Sequence, residues 1–214
     1  MKKNFMLMVA FMTLLTACDQ SHIQQTHTVV KVVESELDKE IRQVMEKGII
    51  LEERKRQATA ISEVFSRYTD PKRARWLAAL CYTKTLGTTF MPMDLAEIAL
   101  AETGAYKLSA TKVSGSGALG VWQLMPRRAK SHGYSPEDME NDEKCAEAAV
   151  RELMNKMTMA NGDLEKAKKF YCGIGPQADA YEVKRREFRK EILEGLEKRM
   201  QNAAADPDDD LTAS

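Results

Sequence analysis

The sequence predicts an all-α fold. Three observations carry that expectation. No run in the 214 residues alternates apolar and polar side chains as a half-buried strand would. Apolar residues instead recur three and four apart in successive segments, the spacing of one helix face. The composition leans to soluble helix, with 43% apolar and 30% charged residues, 13 Met and 6 Pro. A small hairpin within the 105–120 loop is the one exception expected.

The elements follow in order. Val33, Leu37, Ile41 and Val44 predict a helix over 33–48, and Ala58, Ile61, Phe65 and Tyr68 a second over 50–68. Pro71 suits the first turn of a third, 71–86, with Trp76, Leu77, Leu80 and Cys81 inward and Gly87 as its stop. Asp94 and Glu97 read as a capping box opening a fourth helix, which Gly104 ends. Residues 104–120 lose all periodicity. A helix resumes with "VWQLMPRRAKSHG" and another covers 142–160, with Cys145, Ala148, Ala149, Leu153 and Met157 inward. Asn161-Gly162-Asp163 is a turn before a short helix, 164–172. A long helix, 177–203, carries Tyr181, Phe188, Ile192, Leu196 and Met200 on one face, and "ADPDDDLTAS" reads as a disordered acidic tail.

The N-terminus reads as a targeting segment. Lys2 and Lys3 precede the apolar run "FMLMVAFMTLL", and "LTAC" follows, ending at Cys18. This quartet resembles the lipobox of bacterial lipoproteins. That resemblance implies a signal peptide over 1–17, acyl chains on Cys18, and a tether over 18–32. The protein would then be lipid-anchored and face the periplasm from the inner or outer membrane, with Asp19 hinting at the inner. More than one chain makes such anchoring stable.

Charge and cysteine usage exclude other classes. The 32 basic and 32 acidic side chains give no field for nucleic acid. Cys81, Cys145 and Cys172 lack metal-ligand spacing and the three His are scattered, so neither a metal nor a cofactor is expected. Three thiols in an oxidising compartment allow one disulfide, with its pairing left open.

One residue breaks its pattern. Leu95, Ile98, Ala99 and Glu102 share a helical stripe, and the fourth member is a carboxylic acid where the core would take Leu or Val. A lone Glu near a helix end more commonly snorkels to solvent. Two further blocks change the weight: "SGALGVWQLMP", residues 116–126, and "FYCGIGP", residues 170–176.

In order and spacing these blocks resemble the lytic transglycosylases of the soluble and membrane-bound type, which share the goose-type lysozyme fold. The family pattern is a Glu-Ser pair closing a helix, then Gly-x-x-Gln-x-x-Pro, then a late Tyr-Asn before a Gly-rich turn. Here the pair is Glu102-Thr103, the second block runs Gly120 to Pro126, and Tyr171 is the late Tyr. The likeness covers residues 90–181, taken as the catalytic core. Helices over 33–89 precede it, a helix over 182–205 follows, and the tail is 206–214. Thr103 replaces the family Ser, and Cys172 replaces the family Asn.

The resemblance implies a function. Glu102 would protonate the oxygen linking N-acetylmuramic acid to N-acetylglucosamine in peptidoglycan strands. It would then act as base on the muramoyl 6-hydroxyl, closing a 1,6-anhydro ring. Tyr171 would hold the carboxyl by a hydrogen bond. Thr103, Ser116, Gly120, Gln123 and Met125 would bind or wall the sugar. An apolar setting suits this role, because it keeps a carboxylic acid protonated near neutrality. Two other readings compete. A lysozyme-like hydrolase would need a second carboxylate, for which Asp138, Glu140 and Asp142 are the nearest downstream acids. A non-catalytic peptidoglycan-binding lipoprotein would instead serve an envelope machine for secretion or conjugation, with a protein of that machine as partner.

Overall fold

The structure, a computed structural model, describes residue 39 and residues 45–205. The expected signal peptide, Cys18, tether and acidic tail lie outside the described residues, as do Val33, Leu37, Ile41 and Val44. The chain divides into two compact units, Met1–Leu51 and Glu52–Ser214. In the first, residues 45–51 are helical and exposed, so the helix runs on past 48, where a break before a second helix over 50–68 is expected.

The second unit is all-α, as the sequence predicts. Helix α1 spans 52–65, followed by α2 (Pro71–Thr85), α3 (Pro92–Thr103), α4 (Pro126–Ser131), α5 (Asp142–Met159), α6 (Leu164–Cys172) and α7 (Pro176–Ala205). Two 3-10 turns, Gly104–Tyr106 and Glu137–Glu140, complete it. The small hairpin is reduced to two isolated bridges, Val113 with Leu119 and Leu119 with Leu124. The helix expected from Val121 begins only at Pro126, because 121–125 is a tight turn with Gln123 at φ 49°.

Helix α3 is the axis of the unit. Every residue from Pro92 to Ala101 is buried, with α2, α5 and α7 packed around it. Each of Leu95, Ile98 and Leu100 contributes roughly 1.5–3 kcal/mol by leaving water. The capping box expected at Asp94 and Glu97 lies three residues earlier. Pro92 starts the helix, and the Asp94 carboxylate accepts from the Met91 N–H at 2.8 Å. Glu97 is thereby freed for another use.

Helix α2 opens on Asp70, whose carboxylate accepts from the Lys72 and Arg73 amides at 2.8 and 3.2 Å. It buries Leu77, Leu80 and Cys81 as expected, but Trp76 is 48% exposed. Trp76 directly precedes Leu77, about 100° round the helix, and falls outside the covered stripe.

Helix α7 packs on α3 and α6, with Tyr181, Ile192 and Leu196 buried and Met200 exposed. It also meets the end of α1, as the matching stripe over 50–68 suggests. Glu191 binds Arg67 at 2.6 Å and the Tyr68 hydroxyl at 3.0 Å, and Arg199 pairs with Glu63. The Phe188 ring sits edge-on to Tyr68, centroids 5.8 Å apart. It is half-buried rather than sealed, so Phe188→Ala is expected to cost about 1.5–3 kcal/mol, less than a fully buried ring would. Urea unfolding of the two proteins measures the difference, and a loss below roughly 0.5 kcal/mol, the range of an ordinary surface substitution, would contradict this packing.

A buried ionic cluster ties α7 to α3 and α6. The Lys168 ammonium, fully buried, reaches Glu97 at 2.7 Å, Asp94 at 3.1 Å and Glu165 at 2.5 Å. Arg185, also fully buried, reaches Glu97 at 2.7 Å and Glu165 at 2.6 Å. Arg189 adds a contact to Asp94 at 3.0 Å. Burial pushes the Glu97 carboxyl up, while Lys168, Arg185 and Arg189 pull it back. The opposing effect of partial burial on Glu165 is outweighed by Lys168 and Arg185, which hold its carboxyl down at about 2.

Candidate active site

Glu102 lies in the last turn of α3, one residue before the helix ends. Its neighbours on the stripe are sealed, while Glu102 itself keeps partial access to solvent. Burial pushes its carboxyl up to about 7, against the lowering effects of a Tyr181 hydroxyl contact and the Lys184 ammonium. Both of those groups come from α7. The Tyr181 hydroxyl is buried, and no group among the described residues lies at ordinary hydrogen-bond geometry from it. Its own pKa is raised by burial and then by Glu102, Tyr171 and Cys172. Lys184 donates to the Ala101 carbonyl at 2.5 Å.

The expected hydrogen bond from Tyr171 to Glu102 is not made. The Tyr171 hydroxyl donates to the Trp122 carbonyl at 2.9 Å. It stays close enough to Glu102 for the carboxyl to oppose its ionisation. Tyr171 thus pins the 121–125 turn beside the acid, and Tyr181 takes the place beside the carboxyl. Sequence reasoning assigns Tyr181 to the core stripe of α7. Its spacing with Ile192 and Leu196 looks no different from packing, and only the fold turns it toward Glu102.

Thr103, expected at the sugar, is fully buried. Its hydroxyl donates to the Val121 carbonyl at 2.8 Å and to that of Ala99 at 3.2 Å, so it fastens α3 to the turn and is not presented to a ligand. Gly120 is buried too, at φ +76°, and a Cβ there would lie 2.3 Å from the Met139 carbonyl oxygen and 2.8 Å from Cys145 Sγ. Packing therefore requires glycine here. Gln123 donates both amide hydrogens internally, to the carbonyls of Lys112 at 3.0 Å and Gly120 at 2.7 Å. Its amide oxygen is the group left to meet a ligand.

The remaining expected residues are accessible. Met125 is 41% exposed at the start of α4, in keeping with a wall. Ser116 is exposed on the loop, with its hydroxyl bonded to that of Ser114 at 3.0 Å. The motif Trp, Trp122, is sealed and donates its indole N–H to the Leu95 carbonyl at 3.0 Å. It locks the turn onto α3 and is not a stacking platform. An open groove of about 500 Å³ lies at the turn after α3, lined by Arg73, Tyr106, Lys107, Ser109, Ala110 and Thr111.

The three described cysteines are free, Cys81 and Cys145 buried and Cys172 exposed, so the disulfide considered from sequence is not formed among them. Two of the three downstream acids weighed for a hydrolase are engaged elsewhere. Asp142 forms a two-bond pair with Arg73 at 2.8 and 2.9 Å, and Asp138 pairs with Lys144 at 2.6 Å. Glu140 is exposed on the second 3-10 turn. The arrangement offers one protonatable carboxyl near neutrality, in an apolar wall, beside two tyrosines and a lysine.

The family model described as Transglycosylase SLT domain matches residues 83–193, just over half of the chain. No curated protein and no solved structure matches.

Proposed function

Because the chain belongs to the transglycosylase SLT family, and so to the enzymes that lyse peptidoglycan, we propose that Glu102 alone carries the chemistry, as acid and then as base. The observation behind this reading is a single carboxyl held at about 7 by burial, with the downstream acids Asp138 and Asp142 already bound to cations. A glycosidic oxygen is a poor leaving group and needs a proton as the bond breaks. Protonated Glu102 supplies it to the oxygen between N-acetylmuramic acid and N-acetylglucosamine. The sugar's own 2-acetamido group stabilises the electron-poor carbon, which removes the need for a carboxylate nucleophile. Glu102, now ionised, accepts the proton of the muramoyl 6-hydroxyl as that oxygen closes on the anomeric carbon. The carboxyl ends as it began, and no water is consumed.

Tyr171 and Thr103 support this chemistry indirectly, by holding the turn that presents the Gln123 amide oxygen and Met125. Mass spectrometry of sacculi digested by the purified protein tests the reading. Anhydro-muropeptides, lighter by one water than reducing ends, are expected. Reducing ends alone would mean hydrolysis and would overturn it.

The lipid anchor belongs to the same reading. Cys18→Ala is expected to abolish incorporation of an alkyne-tagged fatty acid, and equal label on both proteins would remove the anchor.

A further inference from the structure

We infer that Lys184 is a positioning residue for the acid, its ammonium group fixed on the end of helix α3 beside Glu102. The inference rests on Glu102 being the acid.

The last four carbonyls of a helix have no partner within it, and the helix dipole gathers negative charge there. Ala101 is among the last residues of α3, and Lys184 Nζ donates to its carbonyl at 2.5 Å. The same ammonium lies 5.9 Å from the Phe188 ring centroid, so an aromatic face flanks it on its own helix. Fixed by the Ala101 carbonyl, the cation stands one residue from the acid.

The other titratable groups facing Glu102 are Tyr181 on α7 and Tyr171 and Cys172 on α6. All three have their ionisation pushed up, by burial first and by Glu102 among the rest. They are neutral around pH 7. Lys184 is the basic side chain among these groups, and it draws the carboxyl down from where burial alone would put it. That matters because the proposed cycle uses the group twice. An acid held too high would give up its proton reluctantly, and a general catalyst works best with its pKa near the operating pH. Lys184 sits outside the motif blocks that suggest the site, on a helix that reads from sequence as a charged outer face.

The test is the pH profile of kcat on sacculi for wild type, Lys184→Met, Lys184→Arg and Glu102→Gln. Activity requires the protonated carboxyl, so it falls as pH rises through the pKa of Glu102. Lys184→Met is expected to move that falling limb upward by roughly half a pH unit or more, while Lys184→Arg leaves it near wild type. A limb that stays in place in Lys184→Met, whether the rate is unchanged or lowered uniformly, overturns the inference. If Glu102→Gln keeps the wild-type rate, the acid assignment itself fails. If Glu102→Gln is inactive and the Lys184→Met limb is unmoved, only the role of Lys184 fails.

Discussion

Glu102→Gln is expected to abolish cleavage of peptidoglycan, with a loss of several orders of magnitude. The amide has the shape of the acid and no proton to give. Each proton transfer assisted by such a group is worth roughly 10²–10⁴-fold, and the proposed cycle contains two. Release of soluble muropeptides from sacculi measures it, and a rate within about tenfold of wild type would place the acid elsewhere. The fold should survive, and its response to pH should change. The carboxyl is held at about 7 in the folded chain against 4.5 ordinarily. A group raised in this way favours folding below its unfolded value, and that contribution is lost as pH rises through the folded one. Wild type therefore loses stability from about pH 4.5 to 7, and the Gln variant does not. The variant should melt above wild type near pH 8, with the gap closing near pH 5.

The second large effect lies in the ionic cluster. Lys168→Met is expected to destabilise the protein by about 3–5 kcal/mol, because it leaves Asp94 and Glu97 buried with less compensating charge. The adjacent Lys169 provides the contrast. It pairs with Asp179 at 2.5 Å and Glu182 at 3.2 Å with solvent alongside, so Lys169→Met should cost far less than Lys168→Met. Denaturant midpoints of the two variants check this. Equal losses would mean that the cluster contributes no more than a surface pair.

The parts of the fold that can be read in the sequence are those set by local chemistry. Pro71 marks the start of α2, and Asn161-Gly162-Asp163 fixes the break before α6. The apolar stripe of α3 is enough by itself to mark Glu102 as out of place. What escapes depends on contacts between distant segments. Glu97 looks like a cap and is the centre of a buried cluster, because its partners lie on α6 and α7. Arg185 sits within the α7 stripe and is fully buried, yet a charged residue between apolar ones reads as solvent-facing until Glu97 and Glu165 are placed opposite it. Thr103, Gly120 and Trp122 draw attention as motif residues, and the structure employs them in packing the turn. Tyr181 fails in the other direction, since an aromatic at helical spacing carries no mark that separates a core ring from one beside an acid.

Helix α7 has a consequence for timing. Two groups beside Glu102, Tyr181 and Lys184, belong to α7, which leaves the ribosome long after α3. A growing chain already holds the carboxyl of α3 but not the wall against it. In that state the group is an ordinary glutamate, ionised at neutral pH and unable to donate a proton. On the proposed reading, the acid gains its raised pKa only when α7 has docked on α3. A cut before α7 would remove Tyr181 and Lys184 and leave Glu102 in place.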